Sequence, residues 1–229
     1  MTSRPLVSVI IPVYNGAQYL TEALESVRSQ DYEPLEIIVA DDGSTDDSAV
    51  IAESFPGVRC LRLPKCGVSR ARNLAIEQAS GEWLAFLDAD DIWLPGKLAA
   101  QVAAGRDSDG PELILTHQTH RFEIAVPEWF RGPRDGSPSL GFEPSSWLVR
   151  RSAFLAVGPF DETRTLGEDT DWYLRAMDSG VRNVHLAESF VIRRVHGQST
   201  TVLNTAHRRA LFQALRESAA RKSARNREL

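Results

Sequence analysis

Residues 85–93 read Ala85-Phe86-Leu87-Asp88-Ala89-Asp90-Asp91-Ile92-Trp93, and their reading decides the fold. Behind a polar lead-in, Ser80-Gly81-Glu82, the apolar run Trp83 to Leu87 has the length and composition of a buried strand. It ends in three carboxylates within four residues. Like charges this close repel and raise one another's pKa values unless a cation or strong donors sit among them. Asp-x-Asp at the carboxyl end of a strand suits a hard divalent cation, which takes a few protein oxygens and fills its shell from water and phosphate. A turn or a helix N-cap is the competing use of the same residues.

Upstream, Val7 to Ile11 is a β-branched central strand stopped by Pro12, with Tyr14-Asn15-Gly16 as a loop. Tyr19, Leu20, Ala23, Leu24 and Val27 give the stretch Ala17 to Gln30 helical spacing. Leu35 to Ala40 reads as a second buried strand with the exit Asp41-Asp42-Gly43-Ser44-Thr45-Asp46, where Thr45 or Asp46 is placed to cap a helix over 47–55. A strand over 58–63, a helix over 69–79, the acid-bearing strand and a helix over 95–104 with Pro95 in its first turn complete this half. The alternation predicts βαβ units and a largely parallel sheet. Ligands of such sheets sit outside the carboxyl ends of the strands, so Tyr14-Asn15, Asp41-Asp42 and Asp88-Ala89-Asp90 are expected on one rim. No Gly-x-Gly-x-x-Gly or Lys-Ser/Thr phosphate loop follows the first strand, which excludes the dinucleotide-binding and nucleoside-triphosphatase versions of the fold.

After Arg106 a turn-rich boundary, Asp107 to Pro111, opens a second half. Strands are predicted over 113–116, 117–126 and 146–149, a short helix over 151–157 stopped by Gly158-Pro159, and a stronger helix over 168–179. Two strands with a break near Glu188 are predicted over 183–194. The segment 127–144, rich in Pro, Gly and Ser, reads as a flexible lid. From Thr205 the chain is helical and basic, with seven Arg or Lys against two Glu between Arg208 and Glu228. Its narrow apolar stripe suits packing on the domain, and a basic amphipathic helix lying on anionic lipid is the alternative.

The 229 residues are 42% hydrophobic and 25% charged, an ordinary globular composition. A net charge of −5 speaks against nucleic acid as a partner. Two cysteines, Cys60 and Cys66, read as free thiols of a reducing compartment. With no apolar run near ~20 residues and no signal-peptide layout, the expected location is the cytoplasm, at the inner face of the membrane if the tail helix binds lipid.

Pro12-Val13-Tyr14-Asn15-Gly16, Asp41 to Asp46, Ala71-Arg72-Asn73, Asp88-Ala89-Asp90-Asp91 and Glu168-Asp169 follow one another in this order. Together they resemble the family 2 glycosyltransferases of the nucleotide-diphospho-sugar transferase (GT-A) fold, closely over 6–98 and more loosely over 145–200. The resemblance implies an α/β fold: a single GT-A domain over 1–204, with a mostly parallel central sheet flanked by helices. Residues 1–106 would form its nucleotide-binding half and 107–204 its acceptor-side half, and a terminal basic helix would follow over 205–229. It also implies an inverting, metal-dependent hexosyltransferase moving a sugar from a nucleoside diphosphate, UDP first, to a saccharide, lipid-linked or other hydroxyl acceptor. A non-catalytic nucleotide-sugar-binding subunit and a nucleotidyltransferase remain as alternatives.

By position, the resemblance puts Pro12, Tyr14 and Asn15 in a base pocket and Asp42 on a base N–H, with Arg72 and Asn73 near the nucleotide and Asp88 at the ribose. Asp90 would bind Mn²⁺ or Mg²⁺ with His196 as a second ligand, Asp169 would be the catalytic base, and Trp147 and Glu168 would line the acceptor side. Lys65 stands where relatives often carry Asn, and is expected to reach a phosphate or to project into water.

Overall fold

Every residue of strand β1 (Val7–Val13) is buried, because both of its faces are covered. The structure, a computed structural model, describes residues 4–107, 109–125, 134–199 and 205–228. Side chains alternate along a strand, and here the alternation feeds two cores. Val7, Val9, Ile11 and Val13 pack with Leu20, Leu24 and Val27 of helix α1 (Ala17–Arg28). Ile10 faces the other way, into a core with Ala71, Ala75 and Ile76 of α3 (Val68–Glu77), Phe86 and Trp147.

Strands β2 (Leu35–Asp41) and β4 (Trp83–Phe86) flank β1 in parallel, and β3 (Val58–Arg62) lies parallel to β2, with α2 (Ser48–Ser54) crossing over between them. Beyond β4 the sheet becomes mixed. Strand β5 (Ile92–Trp93) and helix α4 (Lys97–Ala104) follow β4 in the chain. Then come β6 (Leu113–Phe122), β7 (Ser139–Leu140), β8 (Leu148–Arg150), helices α5 (Arg151–Val157) and α6 (Glu168–Asp178), β9 (Asn183–Val195) and α7 (Thr205–Glu228). The spatial order is β3-β2-β1-β4-β8-β6-β9-β5, with β7 paired to β6. Strand β8 is antiparallel to β4 and β6, and β9 runs parallel to β6.

Three details differ from the sequence-based expectation. The strands predicted over 113–116 and 117–126 are one ten-residue strand. The two predicted over 183–194 are also one, and the break near Glu188 is a bulge: Thr116 pairs with Leu186 but His117 with Ser189. Helix α4 starts at Lys97, because Gly96 takes a left-handed φ of 86° and leaves Pro95 outside the first turn. Of the expected lid, residues 127–133 lie outside the described residues. The remainder is pinned to β6, with β7 pairing at His117 and Gln118 and the Gly136 amide donating to the His120 carbonyl at 2.8 Å.

Helix α7 lies against α6. Ser218 Oγ and Arg221 Nε donate to Asp178 at 2.9 and 2.8 Å, and Arg164 pairs with Glu217. Leu211, Phe212 and Leu215 face solvent. No helix among the described residues is long and apolar enough to cross a membrane.

Candidate active site

The carboxyl ends of β1 and β4, the distal halves of β6 and β9 and the N-terminus of α6 enclose one cavity of about 560 Å³. The three carboxylates after β4 meet different fates around it. Asp88 Oδ1 accepts from Arg72 at 2.6 Å. Asp91, 3% exposed, accepts from Ser145 Oγ at 2.7 Å and from the Arg194 amide at 3.1 Å. Asp90 faces the cavity, with His196 Nε2 3.0 Å from its Oδ2. Burial pushes the pKa of Asp88 up, against the opposing charge of Arg72, and burial together with Asp90 and Asp88 pushes Asp91 up further. Strong donors thus hold the outer two acids of the motif, and the middle one is left with a histidine.

His196 stacks on Tyr19 with centroids 4.6 Å apart. The Gln198 amide lies 3.3 Å from its Nδ1, and its Nε2 is the ring nitrogen that faces Asp90. Among the described residues no group of three or more His, Cys, Asp or Glu forms a complete metal site. An Asp carboxylate with one imidazole beside it suits a cation that draws its other ligands from water and phosphate.

Arg72 is 3% exposed and bridges two acids, donating to Asp88 at 2.6 Å and to Glu168 at 2.7 Å. Burial disfavours its charge, and Asp88 and Glu168 more than offset that. This clamp ties α3 to the loop after β4 and to the start of α6. Helix α6 opens on Gly167 in the left-handed region, φ 75°, followed by Glu168, Asp169 and Asp171 in its first turn, where the helix dipole favours acids. Asp169 Oδ1 accepts the Thr170 amide at 2.6 Å, and Oδ2 has no hydrogen-bond partner among the described residues. Burial, with the neighbouring Glu168 charge, raises the Asp169 pKa to about 7.

The expected site residues divide by placement. Pro12, Tyr14, Asn15, Arg72, Asp88, Asp90, Glu168, Asp169 and His196 line the cavity. Asn15 does so with its oxygen accepting the Thr45 amide at 2.8 Å, which joins the two loops. Asp42 is not among the lining residues: its carboxylate takes Lys65 Nζ at 2.7 Å and the Cys66 and Gly67 amides at 2.6 and 3.1 Å. Two expectations are corrected. Asn73 is buried outside the cavity, where it clasps Phe160 through that residue's carbonyl at 2.9 Å and amide at 3.0 Å. Trp147 is fully buried between Phe86, Phe160 and Trp172, and its indole N–H donates to the Phe142 carbonyl, so it belongs to the core and not to an acceptor surface. Both were expected from their motifs, and neither motif states which way a side chain points.

Gln118, His120, Glu143 and Arg193 also line the cavity, with Arg193 paired to Glu143. The sequence carries one trace of them: Gln118 and His120 alternate along a strand, which puts both on one face.

The family model for glycosyl transferase family 2 matches residues 8–155. The chain belongs to glycosyltransferase family 2. An uncharacterised glycosyltransferase of Rickettsia typhi is 31% identical over 220 residues, covering 90% of this chain and 68% of that protein. Among solved structures, Staphylococcus aureus TarS 1–349 in complex with UDP-GlcNAc superposes with a TM-score of 0.74 at 22% identity, over 94% of this chain and 66% of that one. The mannosyltransferase PcManGT of Pyrobaculum calidifontis, in complex with GDP-Man and Mn²⁺, gives 0.71 at 22% identity, over 98% and 65%. The chain therefore has the GT-A fold of this glycosyltransferase family and spans about two thirds of the length of these relatives.

Proposed function

We propose that the chain transfers a sugar from a nucleoside diphosphate, UDP in the first instance, to an acceptor hydroxyl with inversion, with Asp169 as base and a divalent cation held by Asp90 and His196. The observation that carries this reading is the pairing, in one cavity, of Asp90 and His196 on one wall with Asp169 at the head of α6 on another. A carboxylate raised to about 7 is a useful base near neutrality, because it is ionised yet holds a proton well.

A bound Mg²⁺ or Mn²⁺ would supply Lewis-acid stabilisation of the charge growing on the leaving diphosphate. The remaining chemistry belongs to the chain. Asp169 takes the proton from the acceptor hydroxyl, the acceptor oxygen bonds to the anomeric carbon, and the bond from that carbon to the diphosphate oxygen breaks with its electron pair. One displacement inverts the configuration. One carboxylate suffices, whereas a glycosidase needs a second to protonate its leaving group. The Arg72 clamp holds Asp88 and Glu168 in register and so sets the base against the nucleotide side. The exposed ring of Tyr14 at the end of β1 suits stacking of a base. Leu211, Phe212 and Leu215, exposed beside Arg216 and Lys222, suit contact of α7 with an anionic membrane, which would bring a lipid-linked acceptor within reach.

The test is a thermal-shift screen of nucleotide sugars with Mg²⁺ or Mn²⁺, followed by transfer assays with the stabilising donor. A ligand of the native state raises Tm by linkage. The reading fails if no nucleotide sugar shifts Tm with either metal.

A further inference from the structure

We infer that Gln118, His120 and Ser139 form an acceptor-recognition wall, and that it takes an uncharged saccharide with several hydroxyls in preference to a phosphorylated, acidic or single-hydroxyl acceptor. This rests on the transfer reading above and gives that reaction an acceptor class. All three residues line the cavity. Gln118 Oε1, His120 Nδ1 and Ser139 Oγ are buried, and none has a hydrogen-bond partner among the described residues. Buried polar atoms are nearly always paired, and an unpaired one is costly to keep. Three on one cavity wall mark a place where a ligand supplies the partners.

The sheet sets their spacing. Gln118 of β6 pairs directly with Ser139 of β7, so their side chains share a face, and His120 follows on that face two residues along. The segment carrying Ser139 is pressed onto β6: a Cβ on Gly141 would meet the Thr116 carbonyl oxygen at 2.5 Å. Gln118 Nε2 donates to Glu143 Oε2 at 2.8 Å. A carboxylate only accepts, so this bond fixes the amide and leaves Oε1 as the open acceptor.

The chemistry of the three atoms selects the ligand. Burial and the Arg193 charge hold the His120 pKa below the ordinary histidine range, against the opposing pull of Glu143, so the ring is neutral near pH 7. Arg193 is itself paired to Glu143, which leaves no free charge from that pair to attract an anion. The Gln118 carbonyl, backed by the Glu143 carboxylate, repels a phosphate or a second carboxylate and calls for an O–H or N–H. Ser139 and a neutral imidazole each suit a group that can both donate and accept. Hydroxyls meet all three demands, and a sugar ring carries several at fixed spacing.

The wall lies on the side of the base. Burial and Glu168 raise the Asp169 pKa, and the Glu143 charge adds to them, so the residue that anchors Gln118 stands near Asp169. The hydroxyl that Asp169 deprotonates belongs to the acceptor, and the remaining hydroxyls of the same sugar reach the wall beside it.

The test measures nucleoside diphosphate release by the whole chain from UDP-glucose, UDP-GlcNAc and GDP-mannose with Mg²⁺. Each donor is tried alone and with methyl glycosides of neutral hexoses, a hexose phosphate, a uronic acid or butanol. A neutral glycoside is expected to accelerate release at least about tenfold more than the other three. Ser139→Ala and His120→Phe, which keep each side chain close to its native size, are expected to raise the acceptor KM about three- to tenfold each, the worth of one neutral hydrogen bond, and the donor KM by less than about twofold. The split between the two KM values is the informative quantity, since a merely structural role would move both. Equal rises in both KM values, or no rise in either, overturn the wall and leave the transfer reading standing. The uncharged saccharide is overturned if the phosphate or the acid is the better acceptor, or if a donor is bound or hydrolysed and no neutral glycoside accelerates its turnover. Neither binding nor turnover of any donor removes the transfer reading and this inference together.

Discussion

Replacing Asp169 by Asn should stabilise the folded chain, and only above a definite pH. The native carboxyl titrates near 7, against about 3.9 in an unfolded chain. Between those values the folded state holds a proton that the unfolded state has released, so native stability falls as pH rises from about 4 to about 7 and then levels. Three units at about 1.36 kcal/mol each set a ceiling of about 4 kcal/mol. Asp169 opens onto the cavity and shares its shift with Glu168, so screening reduces this to about 1–2 kcal/mol. Asn is nearly isosteric and can still accept the Thr170 amide, so the cap bond survives. For a chain of this size, about 2–4 °C per kcal/mol gives a rise of about 2–8 °C in Tm at pH 8 and none at pH 4. Thermal melts of both proteins across that range, without metal or nucleotide, provide the measurement. Parallel curves at every pH would refute the argument, because they would mean that the carboxyl has an ordinary pKa and no special fitness as a base. The same variant should keep nucleotide binding and lose turnover, and the native rate should rise with pH through about 7.

Asp90→Asn should abolish transfer and also the metal-dependent part of the nucleotide-induced Tm shift, and a chelator should do the same to the native chain; a shift that survives both would move the metal elsewhere. Arg72→Met should cost about 3–5 kcal/mol in denaturant melts, because it strands the partly buried Asp88 and Glu168 without their cation, and a loss under about 1 kcal/mol would contradict the clamp. Trp147→Ala should cost about 3–5 kcal/mol as a core deletion while leaving the acceptor KM of the folded protein unchanged. A selective rise in that KM would restore Trp147 to the acceptor side.

The parallel half of the sheet was legible because β-branched runs, helical spacings and polar exits repeat there with little ambiguity. Strand β1 is buried on both faces and reads as a continuous Val/Ile run, and the acids after β4 stop a buried strand abruptly. The mixed half was less legible. The bulge at Ala187–Glu188 looks like a strand end in one dimension, since the extra residues interrupt the alternation without ending the pairing. Site residues were legible where function and exposure coincide, as at Asp90. They were misread where a motif residue serves the scaffold: Asn73 and Trp147 lie beside the site in sequence and face away from it. Gln118, Glu143 and Arg193 come together only through the pairing of β6 with β7 and β9, which local spacing does not encode.

The contact between α6 and α7 bears on how this protein should be handled at the bench. A boundary drawn at residue 204 looks natural from composition, yet Asp178 holds Ser218, Arg221 and Lys222, and Ala210 packs 3.2 Å from where a Gly167 side chain would begin. Gly167 immediately precedes Glu168 and Asp169. Trimming the tail to ease expression would therefore remove the brace beneath the turn that presents the base, and an inactive truncation would say nothing about whether the chemistry resides upstream.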